Sequence, residues 1–349
     1  MAINIDDLRR LAKRRLPRAV FDFADGGAED EWTLRANRHD FSKLVFRPRV
    51  LVDVSRRDQS TTILGQPVAS PLIVAPTGLA GMLWPRGEMV AAKAAASRDV
   101  IFTLSTLGAC SIEEVAQASS GPLWFQLYVM KDREVTRTLV ERAREAGYKA
   151  LCLTVDLPVL GQRERDLRNG ATIPPKVTVR NVVDVLRRPG WLRRVWLGPE
   201  ITFQNFVGSS TALTSEMGTL WQYVNSLNDP SVDWDDLAWF RSLWPGPLAI
   251  KGIMTAEDAR RAVSEGVEAI VVSNHGGRQL DSLPSAIEVL TEIVDAVGDR
   301  AEVILDGGVR RGTDVVKALA LLGRPTLADL DRTAVRWAGG QLLQPALAH

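Results

Sequence analysis

A histidine, an arginine and an aspartate lie together in the short polar stretch 273–281, Ser-Asn-His-Gly-Gly-Arg-Gln-Leu-Asp. The stretch directly follows the apolar run 269–272, which is typical of a buried parallel strand. Parallel α/β proteins place their chemistry at the carboxyl ends of strands. His275 could take a proton near neutral pH, Arg278 could bind a carboxylate, and Asp281 could fix the histidine tautomer. A solvated loop with a chance histidine is the alternative.

Around this stretch, a short apolar strand followed by an amphipathic helix recurs every ~25–35 residues from Pro71 onward, as βαβ units predict. The strands are predicted at 72–75, 100–104, 123–128, 150–155, 248–251, 269–272 and 303–306. This alternation predicts a parallel (β/α)8 TIM barrel, with a doubly wound open sheet as the alternative. No G-x-G-x-x-G follows an early strand, which argues against a nicotinamide-binding half.

Helical segments complete this organisation. Apolar residues at helical spacing predict an N-terminal helix over 5–23 that stops at Gly26 and Gly27, and a second helix over 28–38. Further helices are predicted at 87–97, from Ser111, at 132–147, at 233–244 and from near Thr313. A long loop insertion, 156–231, follows the fourth strand. We therefore expect residues 1–349 to form one barrel domain that carries this insertion.

The motif SNHGGRQLD resembles the active-site signature of the FMN-dependent α-hydroxy-acid dehydrogenases and oxidases, and the resemblance extends from about Leu16 to Ala320. The motifs are most similar to those of mandelate and L-lactate dehydrogenases. The resemblance implies oxidation of an L-2-hydroxy acid to the 2-oxo acid. It also implies that His275 removes a proton, that Arg278 and Arg163 hold the carboxylate, and that Tyr128 binds the substrate.

Polar residues or glycines end nearly every predicted strand, with a proline also at the end of the first, and a flavin needs such a set. They are Pro76, Thr77, Gly78, Ser105, Gln126, Thr154, Lys251, Ser273, Asp306, Gly307, Gly308 and Arg310. Ser105, Gln126 and Thr154 can pair with the pyrimidine edge, and Lys251 can stabilise the anionic reduced ring. Residues 307–310 offer backbone N–H groups and an arginine to a phosphate ahead of a helix. A structural lysine lining the barrel is the alternative for Lys251.

The chain departs from the family pattern at two places. The family usually has a tyrosine at the position of Phe23, so this residue is either a core phenylalanine or a substrate contact. The family also has an eighth strand and a Gly-Arg pair that completes the phosphate site. Gly323-Arg324 is not this pair, because no room remains for a strand after Ala320. We infer an internal deletion of roughly 50 residues, which would leave two open sheet edges.

The overall composition limits the classes of protein that fit. The chain has 349 residues, 46% of them hydrophobic and 24% charged, and a net charge of +1, so nothing in the charge balance implies nucleic acid. No apolar run approaches the ~20 residues that span a bilayer, and residues 1–20 lack a signal-peptide core. Cys110 and Cys152 have apolar neighbours and predict a reducing compartment, the cytoplasm. The family resemblance implies a homo-oligomer, a tetramer.

The segment 182–198 within the insertion interleaves four arginines with tryptophans, leucines and valines. This composition suits a helix lying in a membrane interface, at the inner face of the cell membrane, and the family resemblance favours the same function. A lid with solvated arginines is the alternative. Gly78, the glycine typical of the dehydrogenases, and membrane contact both favour a quinone or another carrier as electron acceptor over oxygen.

Two other functions compete with this interpretation. The missing eighth strand favours a non-catalytic barrel that has lost FMN and acts as an interaction partner. An FMN barrel with another chemistry, such as isopentenyl-diphosphate isomerisation, would share the phosphate end but would not need the pair His275 and Arg278.

Overall fold

The computed structural model describes residues 1–51, 53, 55, 57–170, 178–207, 228–322 and 332–338. Its strands are β1 (Leu44–Phe46), β2 (Thr61–Ile63), β3 (Gln66–Val68), β4 (Ile73–Val74), β5 (Ile101–Ser105), β6 (Leu123–Leu127), β7 (Ala150–Thr154), β8 (Leu248–Ile253), β9 (Ala269–Val272), β10 (Glu302–Leu305) and β11 (Val335–Trp337). All seven strands predicted from the sequence are present, with ends shifted by up to two residues.

The main sheet contains β4 to β10, and each strand pairs in parallel with the next one along the chain. Every residue of β5, β6, β7 and β9 is buried, because helices cover one face and the barrel interior covers the other. The sequential order contradicts a doubly wound sheet, whose strand order reverses, and confirms the TIM-barrel-like fold.

The sheet is open. Among the described residues, β4 and β10 each have a single neighbour, and no eighth parallel strand joins them. The predicted tail around Gly323 and Arg324 lies outside the described residues. Residues 332–338 instead supply β11, which pairs antiparallel with β1 in a separate two-stranded sheet. A β2–β3 hairpin contributes Ile63 and Val68 to the apolar interior of the barrel.

Side-chain alternation along the strands divides the interior into two layers. Trp124, Cys152 and Ala249 form part of an apolar cluster inside the sheet. Two residues further along the same strands lie Gln126, Thr154 and Lys251. Because successive residues of a strand point to opposite faces, this spacing of two places the polar residues inside the barrel as well, at its carboxyl end. The two-residue alternation of side chains along the strands therefore positions the candidate site.

Thirteen α-helices surround the sheet in the described part of the chain. They are α1 (Ile5–Arg15), α2 (Arg18–Asp25), α3 (Trp32–His39), α4 (Gly87–Ala96), α5 (Ile112–Ala118), α6 (Arg133–Glu145), α7 (Glu164–Arg168), α8 (Val179–Leu186), α9 (Pro189–Trp191), α10 (Leu237–Leu243), α11 (Ala256–Ser264), α12 (Ala286–Val297) and α13 (Gly312–Leu322). Ser111, Asp132 and Thr255 cap α5, α6 and α11 with side-chain oxygens.

Two N-terminal predictions were wrong in detail. The expected single helix over 5–23 is two helices, because Pro17 disfavours helical backbone at Leu16, which is extended with ψ 147°. The second predicted helix begins at Trp32 rather than Ala28, since Glu31 has a left-handed φ of 60° and cannot continue a helix. Both breaks turn the chain so that α2 and α3 lie across the carboxyl end of the sheet.

Candidate active site

A cavity of about 380 Å³ opens at the carboxyl ends of the strands, a size typical of small-molecule sites. Most of the residues predicted for the site line it. They are Phe23, Pro76, Thr77, Gly78, Ser105, Gln126, Tyr128, Thr154, Arg163, Lys251, His275, Arg278, Asp306 and Arg310. Ser273, Asp281, Gly307 and Gly308 lie outside this lining.

His275 is held at both ring nitrogens. Its Nδ1 lies 2.7 Å from Oδ1 of Asp156, and its Nε2 lies 3.3 Å from the hydroxyl of Tyr128. Because a carboxylate only accepts hydrogen bonds, Nδ1 carries the proton and Nε2 is the free base. Burial lowers the pKa of His275 below its usual value although Asp156 opposes this shift. The imidazole is therefore neutral near pH 7 and can accept a proton at Nε2.

Asp281 does not orient His275, and this prediction was wrong. Its two carboxylate oxygens accept hydrogen bonds from the backbone N–H groups of Trp32 and Thr33, at 3.0 and 2.8 Å. The carboxylate therefore caps the first turn of α3. The loop from His275 to Asp281 begins with three successive residues of left-handed backbone, His275 to Gly277. This backbone carries Asp281 away from the imidazole.

Asp156, which the sequence prediction did not include, takes the position expected for Asp281. It lies two residues after the end of β7, so the strand-end rule that selected Thr154 also points to it. Burial raises the pKa of Asp156, but His275 and Lys251 outweigh burial and leave it below the usual value. A Cβ at Gly252, in the β8 bulge, would lie 2.6 Å from the Asp156 Cβ, so glycine is required there.

Two half-buried arginines lie close to the ring of Phe23. The guanidinium carbons of Arg163 and Arg278 lie 5.9 and 5.7 Å from the ring centroid. Burial and the neighbouring Arg278 lower the pKa of Arg163, and burial also lowers the pKa of Arg278. Two such cations on one wall favour an anionic ligand. Arg278 also donates to the carbonyls of Gly26 and Phe23 at 2.6 and 2.9 Å, which ties its fork to the end of α2.

Lys251 is the centre of a buried polar cluster. Its Nζ donates to Oγ of Ser273 at 2.8 Å and lies 3.0 Å from Oδ2 of Asp306. Ser273 in turn donates to Asp306 at 2.7 Å. Burial lowers the pKa of Lys251, but the Asp306 carboxylate outweighs it and keeps the amine protonated. Ser273 thus lies outside the cavity lining and holds the Lys251 side chain in place by a hydrogen bond. The ammonium group of Lys251 lines the cavity.

The donor set fits a flavin ring. Ser105 donates to Oε1 of Gln126 at 3.1 Å, and Nε2 of Gln126 donates to Thr154 at 2.9 Å. This row crosses three neighbouring strands and ends beside the Lys251 ammonium, so the cavity wall offers donors and acceptors followed by one fixed positive charge. A flavin presents a complementary edge of carbonyl and imide groups beside the N1 atom that carries charge on reduction.

The predicted phosphate end is only partly free for a ligand. Arg310 is exposed at the cavity rim, but the backbone N–H groups of Arg310 and Arg311 donate to the Asp314 carboxylate at 3.0 and 2.9 Å. At Gly308, a Cβ would lie 2.0 Å from the carbonyl oxygen of Asn37, so close packing against α3 requires this glycine. Arg310 is the group of this stretch that lines the cavity.

Apolar side chains from the insertion complete the cavity. Leu157, Leu160 and Phe203 line the wall near Phe23, and sequence reasoning did not identify them because the insertion carries no strand to fix their register. Gln279 also lines the cavity and accepts a hydrogen bond from the Gly161 N–H at 3.1 Å. This bond fixes the start of the insertion against the loop that carries His275.

Comparisons with known proteins agree with this geometry. A model of the FMN-dependent dehydrogenase family matches residues 12–331. A putative L-lactate dehydrogenase of Mycobacterium tuberculosis is 44% identical over 327 residues, which are 93% of this chain and 77% of the relative. The glycolate oxidase of Spinacia oleracea is 44% identical over 333 residues, 94% of this chain and 84% of the relative.

Solved structures give the same assignment. A crystal structure of the monotopic membrane protein (S)-mandelate dehydrogenase superposes with a TM-score of 0.84 at 43% identity, covering 92% of this chain and 84% of the other. Mandelate oxidase with (S)-4-hydroxymandelic acid gives a TM-score of 0.78 at 38% identity, covering 92% and 83%. Among the described helices of this chain, none is long and apolar enough to cross a bilayer. The chain is an FMN-dependent α-hydroxy-acid oxidoreductase and belongs to the FMN-dependent dehydrogenase family.

Proposed function

We propose that this protein oxidises an L-2-hydroxy acid with an apolar side chain, mandelate-like or lactate-like, to the 2-oxo acid and passes the electrons to a quinone or another carrier. One observation carries the proposal. The free Nε2 of His275, fixed by Asp156 on its other side, faces the same cavity as Arg163 and Arg278. A base and two carboxylate-binding cations within one cavity match a 2-hydroxy acid.

Each residue then has a defined task. Arg163 and Arg278 bind the substrate carboxylate, and the hydroxyl of Tyr128 orients the substrate hydroxyl. Burial and the nearby Asp156 raise the pKa of Tyr128 to about 12, so this group stays protonated as a donor. His275 Nε2 receives a proton from the carbinol group, and Asp156 stabilises the imidazolium that forms.

FMN supplies the two-electron acceptor when it is bound. Ser105, Gln126 and Thr154 would hold its pyrimidine edge, with Lys251 at N1 and Arg310 at the phosphate. Pro76, Thr77 and Gly78 would lie along the ring, and Asp306 holds Lys251 in place. The protein's part is to bind, orient and exclude water, and to hold a positive charge where negative charge develops.

The substrate side chain is assigned from the apolar wall. Phe23, Leu157, Leu160 and Phe203 offer a surface for a ring or alkyl group beside the arginines. Phe23 has no hydroxyl to donate to the carboxylate, so the two guanidinium groups carry that task alone. This favours mandelate over glycolate, because glycolate has no side chain to fill the apolar wall.

The electron acceptor is proposed to be a quinone, with oxygen as the alternative. Gly78, the glycine typical of the family's dehydrogenases, lines the cavity, and a Cβ at this position would meet Leu107 at 3.3 Å. The exposed apolar residues of α8, Val182, Val183 and Leu186, suit contact with a membrane that contains quinones. We accordingly place the protein in the cytoplasm, peripheral at the inner face of the cell membrane, as a single-domain chain that forms a homo-oligomer.

The colour of the purified protein, and its loss on reduction, test the proposal. Purified protein is expected to be yellow and to bleach anaerobically with L-mandelate or L-lactate, followed at the flavin absorbance maximum. Reoxidation by a quinone should be fast and reoxidation by air slow. A failure to bleach with a panel of L-2-hydroxy acids would remove the proposal, and reoxidation by air at catalytic speed would replace the quinone by oxygen.

The open sheet favours a second function, a non-catalytic barrel that has lost FMN. The phosphate end supports this alternative, because Asp314 already satisfies two of its backbone N–H groups. A colourless protein that unfolds cooperatively and does not take up added FMN would favour the non-catalytic function.

A further inference from the structure

A second, larger cavity of about 750 Å³ lies beside the active site, between the N-terminal helices and the insertion. We call it the α1 groove. Leu8, Leu11 and Ala12 of α1 form one apolar wall, and Trp191 and Val195 of the insertion lie in the opposite wall. Phe21 and Asp25 of α2 and the turn Leu83–Trp84–Pro85 also line it. Nothing in the proposed chemistry of the hydroxy acid uses this space.

Specific polar contacts hold the walls of the α1 groove together. Arg188 Nε donates to the Leu16 carbonyl at 3.2 Å, and the indole N–H of Trp191 donates to the Met82 carbonyl at 2.8 Å. The N–H of Arg18 donates to the Asp184 carboxylate at 2.6 Å. These bonds join segments more than 100 residues apart in the chain, so the groove is a defined part of the fold.

The α1 groove adjoins the active-site cavity. Ala24 and Leu83 line both spaces, and Phe23, the neighbour of Ala24, lines the active site. At this junction the side chain of Ala24 is a single methyl group. A ligand that fills the groove would therefore bring one end to this junction, next to the active-site cavity.

The chemistry of the lining selects an apolar ligand that comes from a membrane. Leucine, alanine, valine and tryptophan side chains form most of the apolar lining, and Arg14, Arg15 and Arg187 are exposed at the rim. The other charged residues of the lining have partners, since Arg9 pairs with Asp25, Arg188 donates to Leu16 and Arg194 lies over the Trp84 ring. Apolar side chains favour a hydrocarbon chain, and exposed guanidinium groups favour an anionic headgroup surface. A prenylquinone dissolves in such a membrane and carries a redox-active ring on a long apolar tail.

We propose that the α1 groove binds the isoprenoid tail of the quinone acceptor and directs its ring to the junction at Ala24 and Leu83. This inference rests on the proposed function. The electron balance is complete, because oxidation of a CH–OH group to C=O releases two electrons and two protons, and a quinone takes up two of each to become a quinol.

The test blocks the α1 groove without touching the active site. Ala12→Phe fills the middle of the groove, and Leu8→Asp places a charge at its open end, where Leu8 is 56% exposed. Arg10→Phe is the matched control, since Arg10 lies on the same helix but outside the groove lining. Binding of decylubiquinone to the FMN-loaded protein is measured by equilibrium dialysis, and anaerobic bleaching by L-mandelate and steady-state reduction of decylubiquinone are measured separately.

Both groove variants are expected to bleach at the unmodified rate but to bind decylubiquinone about tenfold more weakly, with a matching rise in its KM. Arg10→Phe should change neither. Unchanged decylubiquinone binding in both groove variants would overturn the inference while leaving the proposed function intact. A phospholipid retained in the groove of membrane-extracted protein, identified by mass spectrometry and not displaced by decylubiquinone, would also overturn it. Absence of bleaching in the unmodified protein would count against the proposed function, and dialysis would still report on the groove.

Discussion

Asp156 and His275 are 119 residues apart in the chain, and their side chains meet at 2.7 Å between Oδ1 and Nδ1. The aspartate follows β7 and the histidine follows β9, and β8 with its bulge at Gly252 lies between them. A carboxylate in this position fixes the imidazole tautomer and stabilises the imidazolium. The pair therefore decides at which pH Nε2 can accept a proton.

Asp156→Asn is expected to lower turnover on the order of 10²–10⁴-fold, because the amide stabilises neither the required tautomer nor the imidazolium. Activity needs neutral His275, so it falls as pH drops through the His275 pKa, which lies below its usual value. The substitution removes the group that raises this pKa, so the acid limb of kcat/KM should move to lower pH. The pH profile by anaerobic bleaching measures this. His275→Ala, which should abolish turnover and keep FMN, is the reference, and an unmoved acid limb would contradict the pairing.

Asp281→Ala is expected to cost stability rather than chemistry. The loss of the cap on α3 should lower the free energy of unfolding by about 1–2 kcal/mol, measured by urea titration. Burial raises the pKa of Asp281, but the N–H groups of Thr33 and Trp32 outweigh it and lower the net value. The contribution is thus present above the usual aspartate pKa and is lost as pH falls through the lowered value. If this variant bleached a hundredfold more slowly, Asp281 would have a function in the chemistry after all.

Lys251→Met is expected to lose FMN and to destabilise the protein by about 3–5 kcal/mol, because it leaves the Asp306 carboxylate buried without its cation. The double variant Lys251→Met with Asp306→Asn removes the charge as well. It should recover most of the stability but none of the FMN, measured by thermal unfolding and by flavin absorbance. If the double variant is as unstable as the single one, the Lys251–Asp306 ion pair is not the source of the loss.

Arg278→Lys is expected to raise KM for the hydroxy acid more than it lowers kcat, since an ammonium cannot replace a bidentate fork. The same change removes donors to the carbonyls of Gly26 and Phe23, so the end of α2 should loosen. Steady-state kinetics give the first effect, and amide exchange of residues 23–27 gives the second. Arg165→Lys is the control for KM, because this arginine binds Asp25 and Glu31 outside the cavity lining. A KM equal to that of the unmodified enzyme would contradict carboxylate binding by Arg278.

The insertion is expected to bind anionic vesicles in a salt-sensitive manner. Arg187 and Arg193 are exposed, whereas Arg188 donates to Leu16 and the guanidinium of Arg194 lies 4.8 Å from the Trp84 ring. Changing Arg187 and Arg193 to Gln should therefore weaken co-sedimentation without disturbing the fold. Arg144→Gln with Arg260→Gln, exposed arginines on α6 and α11, is the control of equal charge. Equal sedimentation of all forms at low and high salt would indicate that the segment is a lid and not a membrane-binding surface.

The local rules that predicted the barrel depend on short-range patterns. Apolar runs followed by polar residues located every strand of the main sheet, and the two-residue period placed Gln126 and Lys251 inside it. The pairing of Asp156 with His275 depends on strand order and on a bulge at Gly252, which no local pattern specifies. Asp281 misled the prediction because it is close in sequence, while the loop backbone turns it toward α3. The hydrogen bond from Arg188 of the insertion to Leu16, just after α1, likewise arises only in the folded chain.

The sheet has two free edges in the described residues, and a cofactor bound between them would hold them together. Residues that follow β4, such as Thr77 and Gly78, and residues that follow β10, such as Asp306 and Arg310, line one cavity although no backbone hydrogen bond joins these strands in the described residues. A ligand that contacts both sets of residues connects the two edges across the gap, so its binding free energy opposes their separation. The loss of flavin should then loosen β4 and β10 before the strands between them.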